Sequence, residues 1–215
     1  GEEMNKRLIL VGGGAFAREL ICWIEDAVDL GVGRKVTGFL DEDPKALEKF
    51  AYPYEPKWIS TIDDYIPKEG DELIMAIANP AGKLKVATKL KEKGAKFFTF
   101  IHPTAIVAKS AILGEGVVIC PRSLVSADVI LGDLVMINCL SSIGHDVVVG
   151  QYTTISGHVD LTGYVQVGEG VFFGTGAKVI PKVKIGAGAK IGAGTTIIKS
   201  VTENSVMYAS PTKRL

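Results

Sequence analysis

From Val107 to Ile197 every sixth residue is aliphatic or aromatic, sixteen positions without a gap. The series opens Val107, Leu113, Ile119, Val125 and closes Phe173, Val179, Ile185, Ile191, Ile197. A fixed period this short is the mark of a parallel β-helix built from hexapeptides. Two positions before each large residue stands a smaller or β-branched one, as at Ala105, Ala111, Val117, Ser123 and Val129. Side chains two apart on a strand share a face. Each hexad therefore offers one short strand with two inward side chains. Glycine follows the large residue at 114, 132, 144, 150, 168, 174, 186 and 192, where it is expected to supply the corner dihedrals. Charge falls in step: 32 Asp, Glu, Lys and Arg lie in residues 1–104 and only 13 in 105–200. A sandwich of ordinary strands needs longer and less regular spacing.

The formal net charge is zero, so no broad basic field for nucleic acid or anionic lipid is present. No apolar run is long enough to span a bilayer and no signal-peptide pattern appears, which sets the expected location as cytoplasmic. Cys22, Cys120 and Cys139 are widely spaced, without metal-ligand spacing, and suit a reducing compartment.

The first hundred residues follow another rhythm. Arg7–Val11 reads as a buried strand, Ala15–Ala27 as a helix with Phe16, Leu20, Trp23, Ile24 and Ala27 on its inner face. Lys35–Leu40 and Glu72–Ala78 read as further strands, Ala81–Lys93 as a helix stopped by Gly94, and Lys96–Ile101 as a last strand. Alternating β and α elements predict a small parallel sheet covered by helices, a βαβ, Rossmann-like domain. Gly12-Gly13-Gly14-Ala15-Phe16-Ala17 fits a shortened G-x-G-x-x-A turn, which either admits a phosphate to a helix N-terminus or is simply tight. Asp41 ends the second strand, where an acid reaches a ribose or base. The region is too short for six strands, so a mononucleotide-sized pocket fits better than a dinucleotide one.

Ile143-Gly144-His145-Asp146 places a histidine outside the inward row and beside a carboxylate. Histidine titrates near neutrality and takes a proton from an attacking amine. A neighbouring carboxylate orients the ring and stabilises the imidazolium. No G-x-S-x-G elbow is present and no Cys adjoins a His, so nothing suggests an acyl-enzyme.

Together with the glycine loop, Phe39-Leu40-Asp41-Glu42, Ile101-His102-Pro103 and Ser210-Pro211-Thr212-Lys213-Arg214, this motif makes the chain resemble the hexapeptide-repeat sugar acyltransferases over roughly residues 7–215. The branch resembled pairs a nucleotide-binding βαβ domain with the repeat. It includes N-acetyltransferases of the bacillosamine pathway and sialic acid O-acetyltransferases. The resemblance implies a left-handed helix in which three hexads close one triangular coil, so that residues 18 apart stack. It implies a homotrimer with acetyl-CoA between neighbouring coils, and no metal. The implied division is 4–102 for the nucleotide sugar, 103–200 for acetyl-CoA and catalysis, and 201–215 as a tail near CoA.

The implied reaction is transfer of acetyl from acetyl-CoA to an amine, C4 of an amino-deoxy sugar being the leading acceptor, by direct attack with His145 as base and Asp146 orienting it. Gly163 stacks on His145 and offers its N–H to the oxyanion. Thr175 and Ala193 match positions along the pantetheine arm, and Lys213 and Arg214 fit either CoA phosphates or a solvated tail. Gly12, Gly14, Asp41, Glu42 and Asn79 are the expected nucleotide-sugar contacts. Two departures stand out. Phe16-Ala17 replaces Gly-His in the loop, and Thr154 stands where bacillosamine-pathway enzymes carry a second histidine against the acetyl carbonyl. His158 receives no catalytic role. O-acetylation of a sialic acid is the alternative within the same chemistry. A zinc lyase would need three histidines where the repeat holds only His145 and His158, and a non-catalytic nucleotide-sugar scaffold would bind no CoA.

Overall fold

The computed structural model describes residues 6–215, so the first two residues of the expected N-terminal domain lie outside the described residues. The chain divides into two compact units at Pro103/Thr104.

The N-terminal unit holds one four-stranded sheet. Its strands are β1 (Leu8–Val11), β2 (Gly38–Leu40), β3 (Lys57–Ser60) and β4 (Glu72–Met75), in the order β3-β2-β1-β4, all parallel. β1 sits between two neighbours and is wholly buried, as its unbroken Leu-Ile-Leu-Val run requires. Two helices join the strands, α1 (Ala15–Asp29) and α2 (Pro80–Glu92), and a two-residue strand β5 (Phe100–Ile101) follows. β1-α1-β2 is thus a parallel βαβ unit, but no helix separates β2 from β3.

Three expectations need correction here. The edge strand β3 was missed because its residues are half-buried or exposed and show no apolar run. The inner stripe of α1 is Ala17, Leu20, Ile21, Ile24 and Ala27. Phe16 and Trp23 instead flank that stripe as an edge-to-face pair with centroids 6.3 Å apart. The expected strand Lys96–Ile101 is reduced to a bridge, Leu73 with Phe97, and the short β5.

The C-terminal unit is a left-handed parallel β-helix. Each hexad contributes a two-residue strand, and each strand pairs in parallel with the strand one coil away. Ser142–Ile143, for example, lies between Leu124–Val125 and Asp160–Leu161, a step of 18 residues on either side. Three stacks of such strands form three walls. The two inward residues of each hexad fill one continuous core from Val117 and Ile119 to Ile197 and Val201. Phe173 is fully buried, and its strand pairs in unshifted register with both neighbours. Ser141 Oγ donates to Ser156 O at 2.8 Å and Thr153 Oγ1 to Gly168 O at 3.0 Å, whereas the inward Thr195 hydroxyl is buried without a partner among the described residues.

The glycine that follows each large residue has a different cause from the one expected. Left-handed φ falls three positions after the large residue, at Leu134 (58°), Asp146 (61°), Tyr152 (63°), His158 (56°) and Tyr164 (63°) among others, and at Gly116, Gly170, Gly176, Gly188 and Gly194 where that position is itself glycine. The glycines directly after the large residue answer to space. A Cβ on Gly132 would stand 2.5 Å from the backbone nitrogen of Gln151 in the next coil, and one on Gly168 equally close to that of Ala187.

Candidate active site

His145 and Asp146 form the turn joining Ser142–Ile143 to Val148–Val149. The Asp146 N–H donates to Ala127 O at 3.0 Å, tying the turn to the coil before it. Asp146 Oδ2 lies 2.9 Å from His145 Nδ1. A carboxylate only accepts, so Nδ1 carries the proton and Nε2 presents its lone pair.

The coil above completes the setting. A Cβ on Gly163 would sit 2.6 Å from both Cε1 and Nε2 of His145, so the imidazole rests against a bare Cα. Tyr164 donates its N–H to His145 O at 3.0 Å. Its ring meets the imidazole edge to face, centroids 5.2 Å apart and planes at 87°. Asp146, Gly163 and Tyr164 therefore fix the ring, while the His145 side chain stays 59 % exposed to an incoming substrate. The Gly163 N–H donates to no partner among the described residues. Tyr164 belongs to no motif; it stands 18 residues after Asp146, and that step is its one signal in the sequence.

The other β-helix candidates do not join this group within one chain. Thr175 and Ala193 are exposed, in turns that follow Phe172–Phe173 and Lys190–Ile191. Those strands belong to another wall, so the two residues occupy a different corner of the triangle. Thr154 lies on that same wall, opposite the His145 corner, and is only 3 % exposed. His158 is exposed in the turn one coil below Thr175. Lys213 and Arg214 are exposed in the tail beyond the last strand, Val206–Met207.

In the N-terminal unit the candidate contacts gather at the carboxyl ends of β1, β2 and β4. Gly12 needs its glycine for φ 104°, and its N–H donates to Leu40 O at 2.8 Å. Gly13 is packed against the Phe39 ring and Ala46, 3.0–3.1 Å from any added Cβ. Gly14 is the N-cap of α1 and faces open space. The first-turn N–H groups of α1 point the same way, without intrahelical acceptors. Asp41 braces the loop: Oδ2 accepts from Gly13 N–H at 2.9 Å and Oδ1 from Asp43 N–H at 2.8 Å. Glu42 is exposed beside it. Asn79 caps α2, its Oδ1 accepting from Gly82 N–H at 2.9 Å. His102 is buried, its Nε2 3.2 Å from Asp26 Oδ2.

Comparison with known proteins bears on both units. Residues 164–199 match the bacterial transferase hexapeptide (six repeats) family. UDP-N-acetylbacillosamine N-acetyltransferase of Bacillus subtilis (strain 168) is 32% identical over 117 residues, which cover 53% of this chain and 51% of that protein, about half its length. The acetyltransferase domain of PglB from Neisseria gonorrhoeae FA1090, solved in complex with acetyl coenzyme A, superposes with a TM-score of 0.82 at 26% identity, covering 98% of this chain and 100% of that one. PerB from Caulobacter crescentus, solved in complex with CoA and GDP-perosamine, is 30% identical with a TM-score of 0.81, covering 94% of this chain and 93% of that one. The chain belongs to the hexapeptide-repeat sugar N-acetyltransferases. The PerB complex holds both CoA and a nucleotide sugar. Among the described residues no helix is long and apolar enough to cross a membrane.

Proposed function

We propose that this protein transfers the acetyl group of acetyl-CoA to the C4 amino group of a nucleotide-linked amino-deoxy sugar, with His145 as general base. The observation that carries the reading is the imidazole held by Asp146 at Nδ1 and packed at Nε2 against the Cα of Gly163. Nε2 takes a proton from the amine as its nitrogen attacks the thioester carbonyl carbon. The oxygen that gains charge accepts from the Gly163 N–H. Collapse breaks the C–S bond, and the imidazolium returns the proton to the departing thiolate. Asp146 lowers the cost of the imidazolium in between.

The nucleotide anchors in the N-terminal unit. The order β3-β2-β1-β4 matches the start of a doubly wound nucleotide-binding sheet, which binds at the carboxyl ends where the strand order reverses. That reversal lies between β1 and β4, where Gly12, Gly14 and Asn79 stand. Gly14 leaves room for a phosphate over α1, and Asp41 and Glu42 mark the ribose side.

The protein works as a homotrimer. Thr175 and Ala193 lie along the pantetheine arm, yet share no corner with His145 in one chain, so a second copy supplies them. Lys213 completes the cofactor set on the same reading, while Thr154 is too buried to touch a ligand.

Thiol release from acetyl-CoA, followed against a panel of nucleotide-linked amino sugars, tests the proposal. One or more 4-amino sugars should be turned over, and His145→Ala should slow the reaction by about 10²–10⁴. Unchanged turnover in that variant would remove His145 from its role. Acetylation of free sialic acid with no turnover of any nucleotide sugar would replace the acceptor.

A further inference from the structure

Tyr164 stands at a position that suits it poorly. Its φ of 63° is left-handed, a region that strains the backbone of a bulky residue. The same turn position in neighbouring coils holds Asp128, Asp146 and Lys182, at 61°, 61° and 68°. Asp128 and Lys182 are exposed there, as charged residues in a solvated turn should be. Tyr152 adopts the same φ of 63° at another corner, and burial to 9 % exposure offsets the strain. Tyr164 has no such compensation, for it is 51 % exposed. Its hydroxyl has no hydrogen-bond partner among the described residues, whereas those of Tyr52 and Tyr65 donate to Glu25 and Asp71.

What the ring does meet is the base. It stands edge to face with the His145 imidazole, centroids 5.2 Å apart and planes at 87°. Its own backbone N–H donates to His145 O at 3.0 Å, so the two residues keep their spacing. The Nε2 lone pair lies in the imidazole plane, and the phenol stands across that plane. An amine within hydrogen-bond reach of Nε2, about 2.6–3.2 Å, brings the carbon skeleton that bears it alongside the exposed ring.

We propose that Tyr164 is the platform for the acceptor sugar: the C–H flank of the pyranose lies against the phenol while its amine meets His145. The proposal rests on the reading of His145 above and adds the residue that orients the acceptor. Each deoxy position of a sugar carries hydrogen in place of hydroxyl, so an amino-deoxy pyranose has an apolar flank. Its C–H bonds point their positive ends at the electron-rich ring face. A ring already fixed by the turn loses little freedom on binding, so the contact goes into affinity and into the angle of attack.

GDP-, UDP- and dTDP-linked 4-amino sugars are titrated by calorimetry into the full-length protein holding CoA, with GDP, UDP and dTDP as controls that lack the sugar. Asparagine suits the left-handed turn, so Tyr164→Asn should unfold no earlier than the parent. It should weaken the bound sugar nucleotide by about tenfold while leaving the free nucleotides unchanged. Tyr164→Phe should bind the sugar nucleotide within about threefold of the parent, since only the hydroxyl is lost. The loss in Tyr164→Asn should persist in a His145→Asn background, where no imidazole remains to be displaced. Undiminished affinity in Tyr164→Asn, or a loss shared equally by the free nucleotides, would overturn the platform and leave the role of His145 standing. Failure of every nucleotide-linked amino sugar to bind the unaltered protein would overturn both.

Discussion

A methyl group at residue 163 would stand 2.6 Å from Cε1 and Nε2 of His145. Gly163 does not have left-handed φ, so alanine there strains no backbone and displaces only the imidazole. Gly163→Ala should lower kcat/KM by at least about tenfold, as expected of a mispositioned base, with little change in thermal unfolding. A variant as active as the parent would mean that the ring works from another position. Thr154 makes the opposite case. The family resemblance sets it where bacillosamine-pathway enzymes carry a second histidine against the acetyl carbonyl, but it sits buried across the triangle from His145. Spacing along the chain revealed which residues stack, but assigning a residue to one of three walls requires the coil itself.

At the scale of strands and helices, the repeat was legible because every coil solves the same packing problem with the same two inward positions. Its glycines were legible as a column but not in their cause, since the close approach lies between coils. Gly132→Ala should therefore cost about 1–3 kcal/mol in denaturant unfolding, because the backbone nitrogen of Gln151 cannot step aside. The N-terminal unit was read less well: β3 is an edge strand with half its residues in water, and Phe16 and Trp23 drew the helix stripe toward themselves. Lys83 on α2 is fully buried, and burial pulls its ammonium down to about 7. An unfolded lysine keeps its proton to about pH 10.4. Between those values the unfolded chain holds the extra proton, so stability rises with pH, by up to about 1.4 kcal/mol per unit from this group. Below the lower value both states are protonated and the slope vanishes. Lys83→Met should flatten the rise measured by denaturant titration from about pH 7 to 9; an identical slope in both proteins would contradict the assignment. Asp71 moves stability in the same direction with pH, but over the acid range. Burial alone would raise it, but the paired bonds from Arg7, the Tyr65 hydroxyl and the Lys68 N–H together hold it below the usual carboxylate range. Its stabilisation is full at neutral pH and is lost in acid.

At the scale of the whole molecule, the separation of His145 from Thr175 and Ala193 gives the trimer a sharp test. Subunits carrying His145→Ala and subunits carrying Thr175→Trp should each be inactive alone. Co-expressed, they should recover up to about a quarter of full activity, because one interface in each mixed trimer combines two intact halves. No recovery, or light scattering from a monomer, would place the whole site within one chain.

The stacking step of 18 residues also sets what kinds of insertion or deletion the β-helix can survive. A single extra residue between Ala105 and Ser200 would turn every later inward side chain to the outside. Eighteen extra residues would add one whole coil and leave each wall in phase. Such a coil placed after Gly163 would lengthen the span between His145 and the tail by about 4.8 Å, the spacing of neighbouring strands. On the proposed function, coil number is thus a molecular gauge: it would set how long a thioester carrier could lie between His145 and Lys213.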